Sequence, residues 1–163
     1  MSSIVIRPVS LGDVEEINEI RRQPGVMEFT MGMPSERVED NRKFIERLGP
    51  DDHLLVAELD GRVVGIAGLN VMCGRRRHTA SLGIAVHDAF QGRGIGRSFM
   101  QALLEIADDY LGLIRVELEV NADNTRAIHL YKSLGFQEEG RKSKAVFRRG
   151  EYLDMLIMGR IRQ

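Results

Sequence analysis

The sequence predicts a mixed α/β fold, a mostly antiparallel twisted sheet with helices on both faces, built as one domain over residues 1–163. Three observations predict it. Two strand-like runs flank Asp60-Gly61 in "HLLVAELDGRVVGIAGLNVM" (53–72), a hairpin signal. A strand, a glycine-rich loop, a long helix, a strand and a shorter helix then follow one another between residues 79 and 135. Two further strand-like runs close the chain, "FQEEGRKSKAVF" (136–147) and "EYLDMLIMGRI" (151–161). Such an order packs helices against the faces of a mixed sheet.

Taken in order, "IVIRPV" (4–9) is a short strand. "SLGDVEEINEIRR" (10–22) is an amphipathic helix with Leu11, Val14, Ile17 and Ile20 on one face and Asp13 with Glu16 as a capping box. "QPGVMEFTMGMPS" (23–35) reads as irregular, punctuated by Pro and Gly yet rich in large apolar side chains. A second helix spans Glu36 to Leu48, where Gly49-Pro50 ends it. After the hairpin, "RRRH" (75–78) turns the chain into a third strand, "TASLGIAV" (79–86). "GRSFMQALLEIADDYL" (96–111) is a long helix joining two parallel strands, the second being "IRVELEV" (114–120) with its acids on one face. "NTRAIHLYKSLG" (124–135) is a helix with a polar start and a glycine stop.

Composition narrows the function classes. The hydrophobic share of 43% and charged share of 29% are those of a soluble globular domain. The 23 basic and 24 acidic residues nearly cancel, so nothing global draws the chain to nucleic acid or an anionic membrane. "MSSIVIRPVS" lacks the marks of a signal peptide, and no apolar run approaches the roughly 20 residues that span a bilayer. The single Cys73 has no internal disulfide partner, fits a reducing compartment, and reads as an inert core residue in an apolar strand. The expectation is a cytoplasmic protein with no nucleic-acid or membrane partner, a homodimer being open.

The stretch "VHDAFQGRGIGRSFM" (86–100) carries the chemistry. A P-loop alignment on Gly96-Arg97-Ser98 puts Gln91 where the first glycine belongs and Arg97 where the lysine belongs, so it fails. A dinucleotide fingerprint starting at Gly92 finds Arg97 at its third glycine, which makes it weak. What remains is a strand, three glycines and a helix start. Glycines let backbone N–H groups approach a ligand, and the helix end adds unpaired donors and positive dipole, both suited to a pyrophosphate. A tight turn alone needs one glycine, not three.

Gln91, Gly94 and Gly96 resemble the fixed positions of the acetyl-CoA pyrophosphate motif [RQ]-x-x-G-x-[GA] of the GCN5-related N-acetyltransferases. "NADNTRAIHLYKSLGF" is similar to a second block of that family, with Asn124, Ala127, Tyr131, Gly135 and Phe136 on the matching positions. Within the superfamily the chain looks most like small bacterial L-amino-acid N-acetyltransferases and their polyamine- and ribosomal-protein-acetylating relatives. The resemblance implies acetyl-CoA as co-substrate, no metal, and direct attack by a primary amine. It implies that Gln91, Gly92, Arg93, Gly94, Ile95, Gly96 and Arg97 hold the pyrophosphate, with Asn124, Ala127, Tyr131 and Lys132 also at the cofactor. It implies that "LGIAV" splays from "VELEV", the main chain of Ile84, Ala85 and Val86 bonding to the pantetheine arm.

Tyr131 is then the general acid, since a phenol keeps its proton at neutral pH and can give it to a departing thiolate. Asn124 lies two helical turns before it, on the same face, and either caps the helix or bonds to the ligand. Some family members carry a Glu on the strand before the glycine loop, but here Thr79-Ala80-Ser81 offers no carboxylate. Glu28, Glu117, Glu119 or a water chain is left as base. The acceptor side falls to Glu28, Phe29, Met31 and Glu119, because a Met-rich segment makes an adaptable apolar surface, though the same side chains could finish the core. An apolar L-amino acid fits better than a polyamine, which would call for more carboxylates. Polyamine or protein N-terminal acetylation, and a module that binds acetyl-CoA without transfer, are the rival readings.

Overall fold

The computed structural model describes residues 3–162. The hairpin at Asp60-Gly61 forms between β2 (Asp52–Leu59) and β3 (Arg62–Val71). Both turn residues take positive φ, 52° at Asp60 and 78° at Gly61, as a two-residue I′ turn demands. β1 (Val5–Pro8) pairs antiparallel with β2, and β4 (Thr79–Val86) runs parallel to β5 (Arg115–Asn121). β6 (Gln137–Arg148) and β7 (Glu151–Ile161) form a long antiparallel pair, with β7 also antiparallel to β5. The seven strands lie in the order β1-β2-β3-β4-β5-β7-β6. The helices are α1 (Val14–Arg21), α2 (Pro24–Phe29), α3 (Val38–Glu46), α4 (Ile95–Glu105) and α5 (Thr125–Ser133). Among the described residues no helix is long and apolar enough to cross a membrane.

Four expectations change. The segment expected to be irregular contains α2, with Pro24 at its first turn and the Gly25 amide donating to Asp88 Oδ2 at 2.9 Å, a partner distant in sequence. The capping box is Ser10 with Asp13, whose carboxylate takes the Ser10 amide at 2.8 Å; Glu16 instead accepts the Val63 amide at 2.9 Å. The helix after the glycine loop ends at Glu105 and continues as one π-helical turn, Ile106–Tyr110. Cys73 is exposed, not core, because β3 ends at Val71 and the chain turns away there, with Gly74 at φ 63°.

The described residues form two compact units, 3–70 with 83–106, and 71–82 with 107–162. In the first, Val14, Ile17 and Ile20 of α1, Val26 of α2 and Ile45 of α3 pack with Val56, Val63 and Ile66 of the hairpin. Gly65 in β3 lets α4 come close. A Cβ there would lie 2.7 Å from the Phe99 ring and 3.2 Å from the Ala85 carbonyl oxygen, so any side chain would push α4 and β4 off the hairpin. In the second unit, Val116, Leu118 and Val120 of β5, Met155, Leu156 and Met158 of β7, Tyr131 and Phe136 are buried. Arg160 of β7 holds Asp108 of the π-turn through two hydrogen bonds of 3.0 and 2.6 Å.

Candidate functional site

In the first unit, β4 runs into a tight turn at Asp88–Phe90, which His87 caps by accepting the Ala89 amide on Nδ1 at 3.0 Å. Gln91 reaches back and donates to the Val86 carbonyl at 3.2 Å, tying the loop to the strand end. Gly92 and Gly94 then take φ of 78° and 80°, and Gly94 caps α4. The helix ladder begins with the Ser98 amide donating to the Gly94 carbonyl at 3.0 Å, so the amides of Ile95, Gly96 and Arg97 precede it. A Cβ on Gly94 would meet nothing within 4 Å, so the backbone there is open to a ligand. Positive φ, open space and the positive end of an eleven-residue helix fit a pyrophosphate group.

Around this loop, Ile84, Ala85 and Val86 are half-buried, Gly96 is half-buried, and Gly92, Arg93 and Arg97 are exposed. Ile95 is buried. The guanidinium carbon of Arg93 stands 5.2 Å from the centroid of the Phe90 ring, and that of Arg62 stands at the same distance. Arg62 pairs with Glu19 at 2.7 Å.

Also in the first unit, Glu28 is half-buried on α2 and Phe29 ends that helix at 36% exposure. Met31 and Met33 follow, each 61% exposed, so they do not finish the core. The segment bearing them is anchored. Arg21 grips Glu36 at 2.6 and 3.0 Å, Arg22 donates to the Pro34 carbonyl at 3.1 Å, and Asn18 to the Glu36 carbonyl at 3.1 Å.

In the second unit, Asn124 caps α5, its Oδ1 accepting the Ala127 amide at 3.3 Å, which leaves Nδ2 as the group able to serve a ligand. Tyr131 is 6% exposed, its ring 5.9 Å from that of Phe136, and burial pushes its phenol up to about 12. Ala127 is half-buried and Lys132 exposed. Two base candidates are engaged: Glu119 with Lys142 at 2.5 Å, Glu117 with Arg115 at 3.2 Å and Arg76 at 3.9 Å. Thus the structure gathers the glycine loop and the Met-rich segment in one unit, and Asn124, Ala127 and Tyr131 on α5 in the other. Sequence reasoning missed Phe90, Arg62 and Asp88. Phe90 adjoins the motif and was visible, but its contact with the hairpin residue Arg62 was not.

The sequence pattern of the Acetyltransferase (GNAT) family matches residues 14–136, which hold both the glycine loop and the α5 block. The chain belongs to the GNAT family. Family membership carries the activity, acetyl transfer from acetyl-CoA to an amine. Among relatives of this GNAT chain, the L-amino acid N-acetyltransferase AaaT of Escherichia coli (strain K12) is 38% identical over 99% of this chain and 100% of its own. The spermidine N(1)-acetyltransferase of Vibrio cholerae (serotype O1) is 24% identical over 96% of this chain and 92% of its own. Among solved structures, that of yncA, a putative acetyltransferase from Salmonella typhimurium with its cofactor acetyl-CoA, superposes with a TM-score of 0.85 at 25% identity, covering 98% of this chain and 94% of that one.

Proposed function

We propose that this GNAT enzyme acetylates the amino group of a small L-amino acid with an apolar side chain, in the cytoplasm. The observation that carries the acceptor class is the anchored segment presenting Phe29, Met31 and Met33 to solvent. An ordered apolar surface suits an apolar side chain. The carboxylates of Glu117 and Glu119, which a polyamine would need, are already engaged by cations. The likeness to an L-amino acid N-acetyltransferase along the whole chain supports the same reading.

Bound acetyl-CoA supplies a thioester carbonyl open to attack by a neutral amine. The protein's part is placement and proton handling. The amides from Gly92 to Arg97, with the Arg93 and Arg97 guanidiniums, hold the pyrophosphate, and the main chain of Ile84, Ala85 and Val86 holds the pantetheine arm. Asn124 Nδ2, Ala127 and Lys132 contribute from α5. Tyr131 keeps its proton at neutral pH and gives it to the departing sulfur. Proton removal from the amine falls to Glu28, Glu117, Glu119 or a water chain.

The test is kcat/KM for Met, Phe, spermidine and an N-terminal peptide with acetyl-CoA fixed. Met or Phe should lead. A clear preference for spermidine or the peptide overturns the acceptor class while leaving acetyl transfer in place. Thioester binding without turnover of any amine would turn the reading toward a binding module.

A further inference from the structure

The two arginines on Phe90 differ in one respect. Arg62 is neutralised, with its Nη2 2.7 Å from Glu19 Oε1. Arg93 is held by the ring alone, and among the described residues no carboxylate pairs with it. A salt bridge would fix a guanidinium and cancel its charge in one step; an aromatic ring fixes it and leaves the charge available. Arg93 sits between two glycines at positive φ, Gly92 and Gly94. The ring is itself held. Phe90 ends the turn that His87 caps, its amide donates to the His87 carbonyl at 2.9 Å, and the His87 ring meets it edge-on at 5.4 Å. Glu19 fixes Arg62 on the same ring and also stands 3.2 Å from His87 Nε2.

We infer that Phe90 is a positioning residue for the donor site: its ring, braced by Glu19, Arg62 and His87, holds the Arg93 guanidinium ready for the pyrophosphate without neutralising it. The inference rests on the reading of the glycine loop as the pyrophosphate site. Holding the side chain beforehand removes part of the ordering cost that a free arginine would meet on binding. A cation–π contact at an exposed site predicts a loss of about two- to fivefold in affinity when the ring is removed.

The experiment is a double-mutant cycle read by calorimetric titration with CoA, no acceptor being needed. The proteins are wild type, Phe90→Leu, Arg93→Gln and the double variant. Phe90→Tyr serves as rescue, and melting without ligand checks each fold. Phe90→Leu should weaken CoA about two- to fivefold in the Arg93 background and change nothing in the Arg93→Gln background, with Phe90→Tyr at wild-type affinity. Equal losses in both backgrounds would make Phe90 a structural residue and overturn the inference, as would no loss in either. Should Phe90→Leu not fold, Phe90→Met replaces it in the same cycle. Wild type and Arg93→Gln alone test the underlying reading: equal CoA affinity in those two removes Arg93 from the pyrophosphate whatever Phe90 does.

Discussion

Tyr131 shows how burial tunes a single group. Its phenol is pushed up to about 12 by desolvation, which secures the proton at any physiological pH but makes giving it away harder. A thiol ordinarily titrates near 8.5, so donation to its thiolate would be uphill in water. A dry site disfavours the thiolate as it does the phenolate, which narrows that gap. Tyr131→Phe should therefore lower kcat by about 100-fold or more while CoA affinity stays unchanged, measured by steady-state kinetics and titration. Near wild-type kcat, with chemistry limiting, would reduce Tyr131 to packing against Phe136. The raised value also has a stability consequence. A group whose folded value lies above its unfolded one loses its contribution as pH rises between the two, so stability should fall between about pH 10 and 12, and less so in Tyr131→Phe. The placement of Asn124 at the start of α5 and of Tyr131 within it was legible because that spacing is local. Phe90 was legible only as an aromatic, since the Arg62 beside it arrives on a different strand.

At the level of elements, the strands and the two long-patterned helices were readable from periodicity, and the glycine loop from residue type. What escaped were features set by distant partners. α2 forms where Pro and Gly suggested a break, because Asp88 satisfies an amide of its first turn. The cap of the first helical segment belongs to Ser10 and Asp13 because Arg7 fixes the Asp13 carboxylate at 2.8 and 2.9 Å. Those hydrogen bonds from Arg7, stronger than the opposing burial, hold Asp13 below the usual carboxylate range. Its contribution is present above the ordinary Asp range and lost as pH falls from about 4 toward the folded value. Asp13→Asn should accordingly melt lower at pH 7, with the difference from wild type shrinking on acidification; a constant difference would assign the loss to packing. In the loop, Gly94 has φ 80° and open space above it. Gly94→Ala should cost about 1–2 kcal/mol of stability through its backbone and several-fold in CoA affinity through its methyl group. Undiminished affinity in the folded variant would take the glycine loop out of the donor site.

For the whole molecule, the residues proposed to hold acetyl-CoA belong to both compact units, the glycine loop to one and α5 to the other. That assignment came from two short motifs, and composition alone would have stopped at a globular α/β domain. A ligand that binds only the folded state stabilises it by about 2.7 kcal/mol at one hundred times its Kd. For a chain of this size each kcal/mol raises Tm by about 2–4 °C, so CoA at that excess should raise Tm by about 5–10 °C. The proposed assignment predicts a shared stabilisation. Amides of α4 from Arg97 on and amides of α5 between Thr125 and Ser133 should both exchange more slowly with CoA bound. Hydrogen exchange followed by mass spectrometry separates the two segments. Protection confined to α4 would keep the glycine loop as the donor site and remove Asn124, Ala127, Tyr131 and Lys132 from it; the acid would then have to be sought in the first unit. Protection confined to α5 would do the reverse, leaving the positive end of α4 without a ligand.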